Sequence, residues 1–238
     1  MTTDENSHNN EGLIHFDNVS KIYLEDAVAV KDVTFTINPA EFISLVGHSG
    51  AGKTTLLKLL LAEEAPSSGN VLFESTPVHT LDGHERTKLR RRIGMVFQDF
   101  RLLSHKTAYE NIAFAMEVSG RGDSEIEADV PYVLDLVGML DKMWHFPAEL
   151  SGGEKQRLAI ARAIVNQPDV VIADEPTGNL DPVNTFDVIQ ILKKINSLGT
   201  TVILSTHNKG VVDILEDRVV TLEDGRLIRD DDKGSYIL

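Results

Sequence analysis

Residues 47–54 follow the pattern Gly-x-x-x-x-Gly-Lys-Thr, and this pattern suits the binding of phosphate groups. The glycines let successive backbone N–H groups turn inward around phosphate oxygens, at the positive end of the following helix. Lys53 can reach the β- and γ-phosphates of a nucleotide, and the Thr54 hydroxyl can ligate Mg²⁺. The fixed positions would coincide by chance in about 1% of chains of this length. We therefore expect a phosphate-binding loop (P-loop) here. The expected nucleotide contacts are Gly47, His48, Ser49, Gly50, Ala51, Gly52, Lys53, Thr54 and Thr55.

An apolar stretch at residues 170–173 ends in two carboxylates, Asp174 and Glu175. Acidic residues often end strands without any function, and an isolated Asp-Glu pair would mean little. A strand parallel to the one before the P-loop would bring Asp174 near a phosphate-bound Mg²⁺ and Glu175 next to an attacking water. Phosphoryl transfer needs both charge neutralisation and a positioned nucleophile. We therefore expect these two roles for the two carboxylates.

Residues 150–154, Leu-Ser-Gly-Gly-Glu, precede a segment of helical apolar spacing. Ser151 as N-cap and Glu154 three residues later are typical of a capping box. A capping box does not explain the two glycines, Gly152 and Gly153, which leave backbone N–H groups bare at a helix N-terminus. Such an end is an anion site. We expect an anionic group to bind there, although the chain's own P-loop already holds one phosphate chain.

A parallel α/β core would position these motifs. Apolar runs at residues 42–46, 170–173 and 201–204 are typical of central parallel strands, and the first run stops at the P-loop. Residues 54–61 and 183–197 carry apolar side chains at helical spacing. Strand, glycine turn and buried helix are the start of a βαβ unit.

Further segments flank this core. Residues 13–37 alternate as half-buried antiparallel strands do, and residues 219–228 predict a closing hairpin. Residues 107–142 have helical spacing with a break at residues 120–122. We expect Pro131 near a helix start or at a kink, because a proline inside a helix costs about 3 kcal/mol.

Composition excludes several classes of function. The 238 residues are 42% hydrophobic and 25% charged, as in a globular protein rather than a disordered one. The absence of cysteine excludes a disulfide framework, thiol catalysis and Cys-ligated zinc. The net charge of −14 argues against nucleic-acid binding, which needs a basic surface. The sequence shows neither a transmembrane segment nor a signal peptide, so we expect any membrane association to be indirect.

One basic run could suggest nucleic acid, but no aromatic residue is interleaved with it. We expect it to form a solvated helix face, or to contact anionic lipid headgroups under a membrane. The run consists of Arg86, Lys88, Arg90, Arg91 and Arg92.

Three motifs together are similar to the nucleotide-binding domain of ABC ATPases: the P-loop, residues 150–157 and residues 174–181. The resemblance extends over almost the whole chain. It implies an α/β fold, with a P-loop NTPase (RecA-like) core of mostly parallel sheet, an antiparallel β flank and an inserted α-helical subdomain. The expected divisions are a disordered polar tail at residues 1–12, the flank and core at 13–98 and 156–238, and the helical subdomain at 99–155.

The resemblance also implies a homodimer in the ATP state, with two ATP molecules held between head-to-tail subunits. The signature motif of one subunit would then contact the γ-phosphate in the partner's P-loop. This supplies the anion that the bare N–H groups require. The signature residues are Ser151, Gly152, Gly153 and Glu154.

Further roles follow from the same resemblance. Tyr23 would stack on adenine, with an ordinary strand tyrosine as the alternative, and Asp181 would be the D-loop aspartate at the dimer interface. The implied catalytic residues are Glu175, His207 and Gln98. The implied Mg²⁺ contacts are Thr54, Gln98 and Asp174. The family patterns at Ala40 and at residues 61–65 are not matched, but neither position belongs to the nucleotide chemistry.

Several roles within the family remain open. The acidic charge and the single nucleotide domain argue against a partner of nucleic acid or ribosome. Residues 47–59 and 89–99 are most similar to cell-division members, which work with an integral membrane partner and control peptidoglycan hydrolases. The alternative is the ATPase of a lipoprotein-release or macrolide-export transporter. Both imply a cytoplasmic protein, peripheral on the inner face of the membrane. A non-hydrolysing nucleotide switch is disfavoured by the presence of Glu175, Lys53 and His207.

The segment around Gln98 carries more apolar residues than a junction loop needs. We expect Phe97 to belong to the core and Phe100, Leu102 and Leu103 to form a modest exposed patch. A cytoplasmic helix of the membrane partner would bind there, and its movement would act directly on Gln98.

Overall fold

The computed structural model describes residues 12–23 and 27–234, which form ten β-strands and seven α-helices arranged around two sheets. The polar tail expected at residues 1–12 lies outside the described residues, apart from Gly12.

A four-stranded antiparallel sheet flanks the core, with the strand order β2-β1-β4-β5. Its alternating pattern places Phe16 and Phe35 in the interior, where their rings stack at a centroid distance of 4.6 Å. The antiparallel flank is therefore confirmed. Its strands are β1 (Ile14–Ile22), β2 (Val28–Ile37), β4 (Ser68–Phe73) and β5 (Thr76–Pro77).

The second sheet has six strands in the order β10-β9-β3-β8-β7-β6. Five of them run parallel, and the last strand in the chain pairs antiparallel as the expected hairpin. The predicted mostly parallel core is confirmed. Its strands are β3 (Phe42–Val46), β6 (Ile93–Phe97), β7 (Val170–Asp174), β8 (Thr201–Thr206), β9 (Arg218–Glu223) and β10 (Arg226–Asp231).

Helices cover one face of the large sheet, and α1 with the antiparallel flank covers the other. Successive residues of β7 consequently face two different cores. Val171 and Ala173 pack in the core beneath the helices, and Val170 and Ile172 pack in the core shared with α1 and the antiparallel flank. A strand that is buried on both faces has apolar residues at successive positions, which explains the continuous apolar run at residues 170–173. The helices are α1 (Lys53–Leu60), α2 (Gly83–Arg91), α3 (Ala108–Val118), α4 (Asp123–Leu136), α5 (Gly152–Ile164), α6 (Pro182–Ser197) and α7 (Lys209–Leu215).

The inserted helical region consists of α3 and α4, which pack on each other and on α5. Pro131 lies inside α4, which continues to Leu136, so the expectation of a helix start is wrong. None of the helices within residues 12–23 and 27–234 is long and apolar enough to cross a membrane.

The basic run is only partly a solvated face. Arg90 donates from Nε to the Leu61 carbonyl at 3.0 Å and from Nη2 to the Ala62 carbonyl at 3.2 Å. Arg92 forms ion pairs with Glu74 and Asp169. Lys88, Arg90 and Arg91 are exposed, so the predicted solvated face is confirmed for these three residues, whereas Arg86 and Arg92 are half-buried. Arg90 and Arg92 also connect α2 and its C-terminus to neighbouring segments.

Candidate active site

The parallel strands of the large sheet bring four of the predicted motifs to one edge. β3, β8, β7 and β6 are successive neighbours in the sheet, and their carboxyl ends lie within one residue of each other. In open α/β sheets the ligand binds outside these carboxyl ends. The residues that directly follow the four strand ends are Gly47, Gln98, Glu175 and His207.

Two P-loop glycines are required by packing as well as by conformation. Gly47 has φ 153° and Gly52 has φ 103°, values that disfavour other residues. A Cβ at Gly47 would overlap the Leu222 carbonyl oxygen, and a Cβ at Gly52 would overlap the Ala29 carbonyl oxygen. The loop therefore lies directly against β9 and β2, at the N-terminus of α1.

Lys53 is the buried cation of the site, with 7% of its surface exposed. Its Nζ donates to the Gly47 carbonyl at 2.6 Å and to the His48 carbonyl at 3.1 Å, and it lies 3.8 Å from Oε1 of Glu175. Burial lowers the pKa of Lys53, while the charges of Glu175 and Asp174 oppose that shift. A partly desolvated cation interacts strongly with phosphate charge.

Asp174, the last residue of β7, carries an unsatisfied carboxylate oxygen. Its Oδ1 is buried and has no hydrogen-bond partner among the described residues. Desolvation raises the pKa of Asp174, and the neighbouring charge of Glu175 adds to this, whereas the Ser205 and Thr54 hydroxyls favour the charged form. A divalent cation would satisfy such an oxygen. Mg²⁺ is usually held by one or two carboxylates together with substrate phosphates. The pair of Asp174 and Thr54 therefore fits Mg²⁺.

Glu175 lies between Lys53 and His207. Its Oε1 is 2.8 Å from Nδ1 of His207, and its backbone N–H donates to the Ser205 carbonyl at 2.9 Å. Its φ of 50° is in the left-handed region, which is uncommon for a residue with a side chain and recurs at active sites. A carboxylate fixed in this way can orient a water and accept its proton.

Gln98 reaches across to the segment that follows Glu175. Its Nε2 is 3.4 Å from Oδ1 of Asn179. A Cβ at Gly178 would come within 2.8 Å of the same nitrogen, so this glycine leaves room for the glutamine side chain.

Helix α5 contacts the segment on both sides of Gln98, residues 97–101. Gln156 donates from Nε2 to the Phe97 carbonyl at 3.4 Å. Arg162 donates to the Arg101 carbonyl at 2.6 Å and to the Phe100 carbonyl at 3.0 Å. Helix α5, which begins at the signature residue Gly152, is therefore in direct contact with the segment around Gln98.

The apolar residues of this segment are arranged differently from the expectation. Phe97 is only partly buried, with the Arg101 guanidinium 3.7 Å from its ring centroid, so its assignment to the core is wrong. Leu102 instead packs against the core. Phe100 and Leu103 are also partly buried, which leaves a smaller exposed surface than expected.

A cleft of about 310 Å³ opens above these groups. Most of the predicted nucleotide residues line it; Tyr23, Gly47 and His48 do not, and neither does the predicted Mg²⁺ ligand Asp174. His48 instead places its Nε2 3.6 Å from Oδ1 of Asp224. Ala29 also lines the cleft, and no sequence signal marked it, because an alanine in a strand carries no chemistry of its own. The lining residues are Ala29, Ser49, Gly50, Ala51, Gly52, Lys53, Thr54, Thr55, Gln98, Glu175 and His207.

Tyr23 is not brought into this cleft. The residue is 40% exposed, its hydroxyl helps to lower the pKa of Glu64, and Nζ of Lys21 lies 5.2 Å from its ring centroid. Residues 24–26, which follow it, lie outside the described part of the chain. Adenine stacking by Tyr23 stays a prediction.

The signature motif begins α5 and does not line this chain's own cleft. Ser151 Oγ accepts from the Glu154 N–H at 3.3 Å, and Glu154 Oε2 accepts from the Ser151 N–H at 2.8 Å, so the capping box is confirmed. These hydrogen bonds hold the pKa of Glu154 below its usual value. Within the described residues, the N–H groups of Gly152 and Gly153 have no acceptor.

The two signature glycines have different surroundings. A Cβ at Gly153 would overlap the side-chain oxygen of Asn184, so the observed position of that side chain depends on glycine there. A Cβ at Gly152 would meet only Leu180, at an ordinary distance of 3.6 Å. Packing therefore explains Gly153 but not Gly152.

Asp181 is the N-cap of α6. Its Oδ1 accepts from the N–H of Val183 at 2.9 Å and of Asn184 at 3.0 Å. Hydrogen bonds from Asn184 hold the pKa of Asp181 below its ordinary value. The carboxylate is thus charged and fixed.

The fold and the cleft define the chain as a P-loop NTPase. A family model described as ABC transporter matches residues 30–178, and the chain belongs to this family. It is therefore an ABC-type ATPase that binds ATP.

The comparisons also identify similar proteins. The cell division ATP-binding protein FtsE of Mycobacterium tuberculosis is 50% identical over 225 residues, covering 94% of this chain and 98% of that protein. FtsE of Bacillus subtilis is 48% identical over 224 residues, with coverage of 94% and 98%. A solved dimeric ATP-binding cassette, in a post-hydrolysis state with ADP and Pi, has a TM-score of 0.83. It is 35% identical, and the match covers 94% of this chain and 100% of that chain.

Proposed function

We propose that this chain binds and hydrolyses Mg-ATP as the ATPase subunit of a membrane complex that acts in cell division. One observation carries the proposal of hydrolysis. The Glu175 carboxylate is fixed at the cleft, 3.8 Å from the Lys53 ammonium and 2.8 Å from the His207 ring. A chain that only bound nucleotide would not need a carboxylate in this position.

Each group has a separate part in the proposed reaction. The P-loop N–H groups and Lys53 bind the phosphates, and Glu175 orients the water and takes its proton as the water attacks the γ-phosphorus. The bond between the γ-phosphorus and the bridging oxygen breaks in the same displacement, so that ADP leaves with that oxygen and the products are ADP and phosphate. His207 holds Glu175 and contacts the γ-phosphate, and Gln98 contacts the water or the cation. Mg²⁺, held by Asp174, Thr54 and Gln98, would neutralise phosphate charge.

The signature motif completes the site from a second copy of the chain. Its bare N–H groups point to an anion, and they do not line the cleft of their own subunit. In a head-to-tail homodimer, Ser151, Gly152, Gly153 and Glu154 would face the partner's γ-phosphate, with Asp181 at the interface. The dimeric state of the similar ATP-binding cassette supports this arrangement.

The cell-division role is supported by two relatives, both cell division ATP-binding proteins, that are 48% and 50% identical over nearly their whole length. We propose an FtsX-like integral membrane partner, and a cytoplasmic location on the inner face of the membrane through that partner. No nucleic acid is expected, since the net charge is −14.

The proposed hydrolysis predicts a separation of binding from turnover. Glu175→Gln should bind Mg-ATP like the parent chain but hydrolyse it about 10²–10⁴-fold more slowly, because the proton acceptor is lost while the P-loop is intact. Lys53→Ala is the matched control and should lose nucleotide affinity. Binding by a fluorescent ATP analogue and phosphate release by a coupled assay measure the two effects. A Glu175→Gln variant that turned over at the wild-type rate would remove Glu175 from the chemistry.

The same variant tests the cellular role. Replacing the wild-type chain by Glu175→Gln in cells should produce long undivided filaments, because ATP turnover would no longer reach the division machinery. Normal division together with a defect in lipoprotein or drug export would instead support the transporter alternative.

A further inference from the structure

Asn184, in the first turn of α6, contacts the signature helix and the D-loop at the same time. Its Oδ1 packs against Gly153, and Nη1 of Arg157 approaches the same oxygen at 3.5 Å. Its Nδ2 donates to Oδ2 of Asp181. One side-chain amide therefore connects two segments that are 28 residues apart in the sequence, counted from Gly153 to Asp181.

The contact with Asp181 completes the bonding of that carboxylate. The other oxygen, Oδ1, already accepts the backbone N–H groups of Val183 and Asn184 as the helix cap. Hydrogen bonds from the Asn184 side chain and backbone are also the main cause of the lowered pKa of Asp181. The aspartate is held as an anion in a single orientation.

The contact with Gly153 holds Asn184 against the signature motif at the start of α5. Because Gly153 has no side chain, the amide oxygen of Asn184 sits against the backbone at the start of α5. A displacement of the signature N–H groups relative to Asp181 would break this packing. Within the described part of the chain, the side-chain hydrogen bonds of Asn184 go to Arg157 and Asp181, neither of which lines the cleft.

We propose that Asn184 is a positioning residue that holds the signature motif and the D-loop as one rigid surface for the partner subunit. The inference rests on the proposed trans contact between signature and γ-phosphate. Asn184 acts on the assembly of two copies, and it leaves nucleotide binding to each P-loop unchanged.

The test uses the full chain with Glu175→Gln, which should form a stable dimer with Mg-ATP. Adding Asn184→Asp removes the donor and places a carboxylate against Asp181, whereas Asn184→Ala removes both contacts without adding charge. Each should weaken Mg-ATP-driven dimerisation about tenfold or more, as expected when a hydrogen bond to a charged group is lost. The readout is the dimer fraction by analytical ultracentrifugation across a concentration series.

Two measurements separate positioning from general structural support. The affinity for Mg-ADP, measured on the monomer, should change less than about twofold, and the melting temperature should fall by less than about 4 °C. The exchange Asp181→Asn with Asn184→Asp restores a carboxylate–amide pair, and asparagine is as good an N-cap as aspartate. This double variant should recover dimerisation to within about threefold of the Glu175→Gln parent, that is, within about 0.7 kcal/mol.

Unchanged dimerisation of both single variants would overturn the inference. So would an equal loss of Mg-ADP affinity and dimerisation, or a double variant no better than Asn184→Asp. If the Glu175→Gln parent itself stays monomeric with Mg-ATP, the proposed trans site fails, and the inference fails with it for that separate reason.

Discussion

Gly152 and Gly153 show how two identical neighbouring residues serve different purposes. Gly153 leaves space for Asn184, and this requirement would hold in any chain with the same packing of α5 on α6. Gly152 is exposed and has no neighbour that excludes a methyl group. Packing within the described residues therefore does not account for its small size. In the proposed dimer, the close approach of a γ-phosphate accounts for it.

This difference predicts opposite behaviour for two alanine variants. Gly153→Ala should lower the free energy of unfolding by about 1–3 kcal/mol, because the new methyl group displaces Asn184. Gly152→Ala should leave stability within about 1 kcal/mol of the parent, or raise it, since alanine favours a helix more than glycine. Chemical denaturation measures both.

In the dimer the two variants have a second readout. Gly152→Ala should impair Mg-ATP-driven dimerisation of the Glu175→Gln chain despite its intact fold. A stable Gly152→Ala chain that dimerises normally would show that this glycine has no role in the interface.

At the scale of elements, the sequence predicted the strands whose apolar runs are continuous: β3, β7 and β8. It did not mark β6, which is as long as β3 and β7 but whose apolar run is interrupted by Gly94. That glycine is needed because a Cβ there would overlap the Ala163 carbonyl oxygen of α5. A close approach between two elements leaves no periodic pattern, so it could not be predicted. The P-loop and acidic motifs were predictable because the spacing of their residues is itself the signal.

Helix α2 shows the same limit. Its charge pattern predicted a solvated face, but charge alone does not reveal which carbonyls lie nearby. The structure places the Arg90 guanidinium on the carbonyls of Leu61 and Ala62, just beyond the end of α1. Arg90 thereby connects α2 to the helix that follows the P-loop.

This connection predicts different costs for two basic residues of α2. Arg90→Ala should lower the free energy of unfolding by about 1–2 kcal/mol, because it leaves two carbonyls without a charged donor. Lys88→Ala, an exposed neighbour on the same helix, should change it by less than about 0.5 kcal/mol. Thermal and urea unfolding would measure the pair. Equal changes in the free energy of unfolding would show that the Arg90 contacts add no stability beyond that of a solvated side chain.

At the scale of the whole molecule, the proposed dimer would take half of one site and half of another from each subunit. The cleft contains the P-loop, Gln98, Glu175 and His207, whereas the signature motif lies outside it. The sequence shows both motifs, but their separation in space appears only when the fold is known. The central claim is that ATP is hydrolysed only where the P-loop of one copy meets the signature of another.

Mixing two inactive variants tests this claim most directly. Lys53→Ala disables the P-loop, and Ser151→Arg should block the signature by placing a large cation at the bare N–H groups. Each variant alone should be nearly inactive. A mixed dimer contains one site with both defects and one fully intact site, so the mixture should hydrolyse ATP about tenfold or more above the sum of the separate rates, given what one lost electrostatic contact costs. A mixture no more active than that sum would contradict a site shared between two copies.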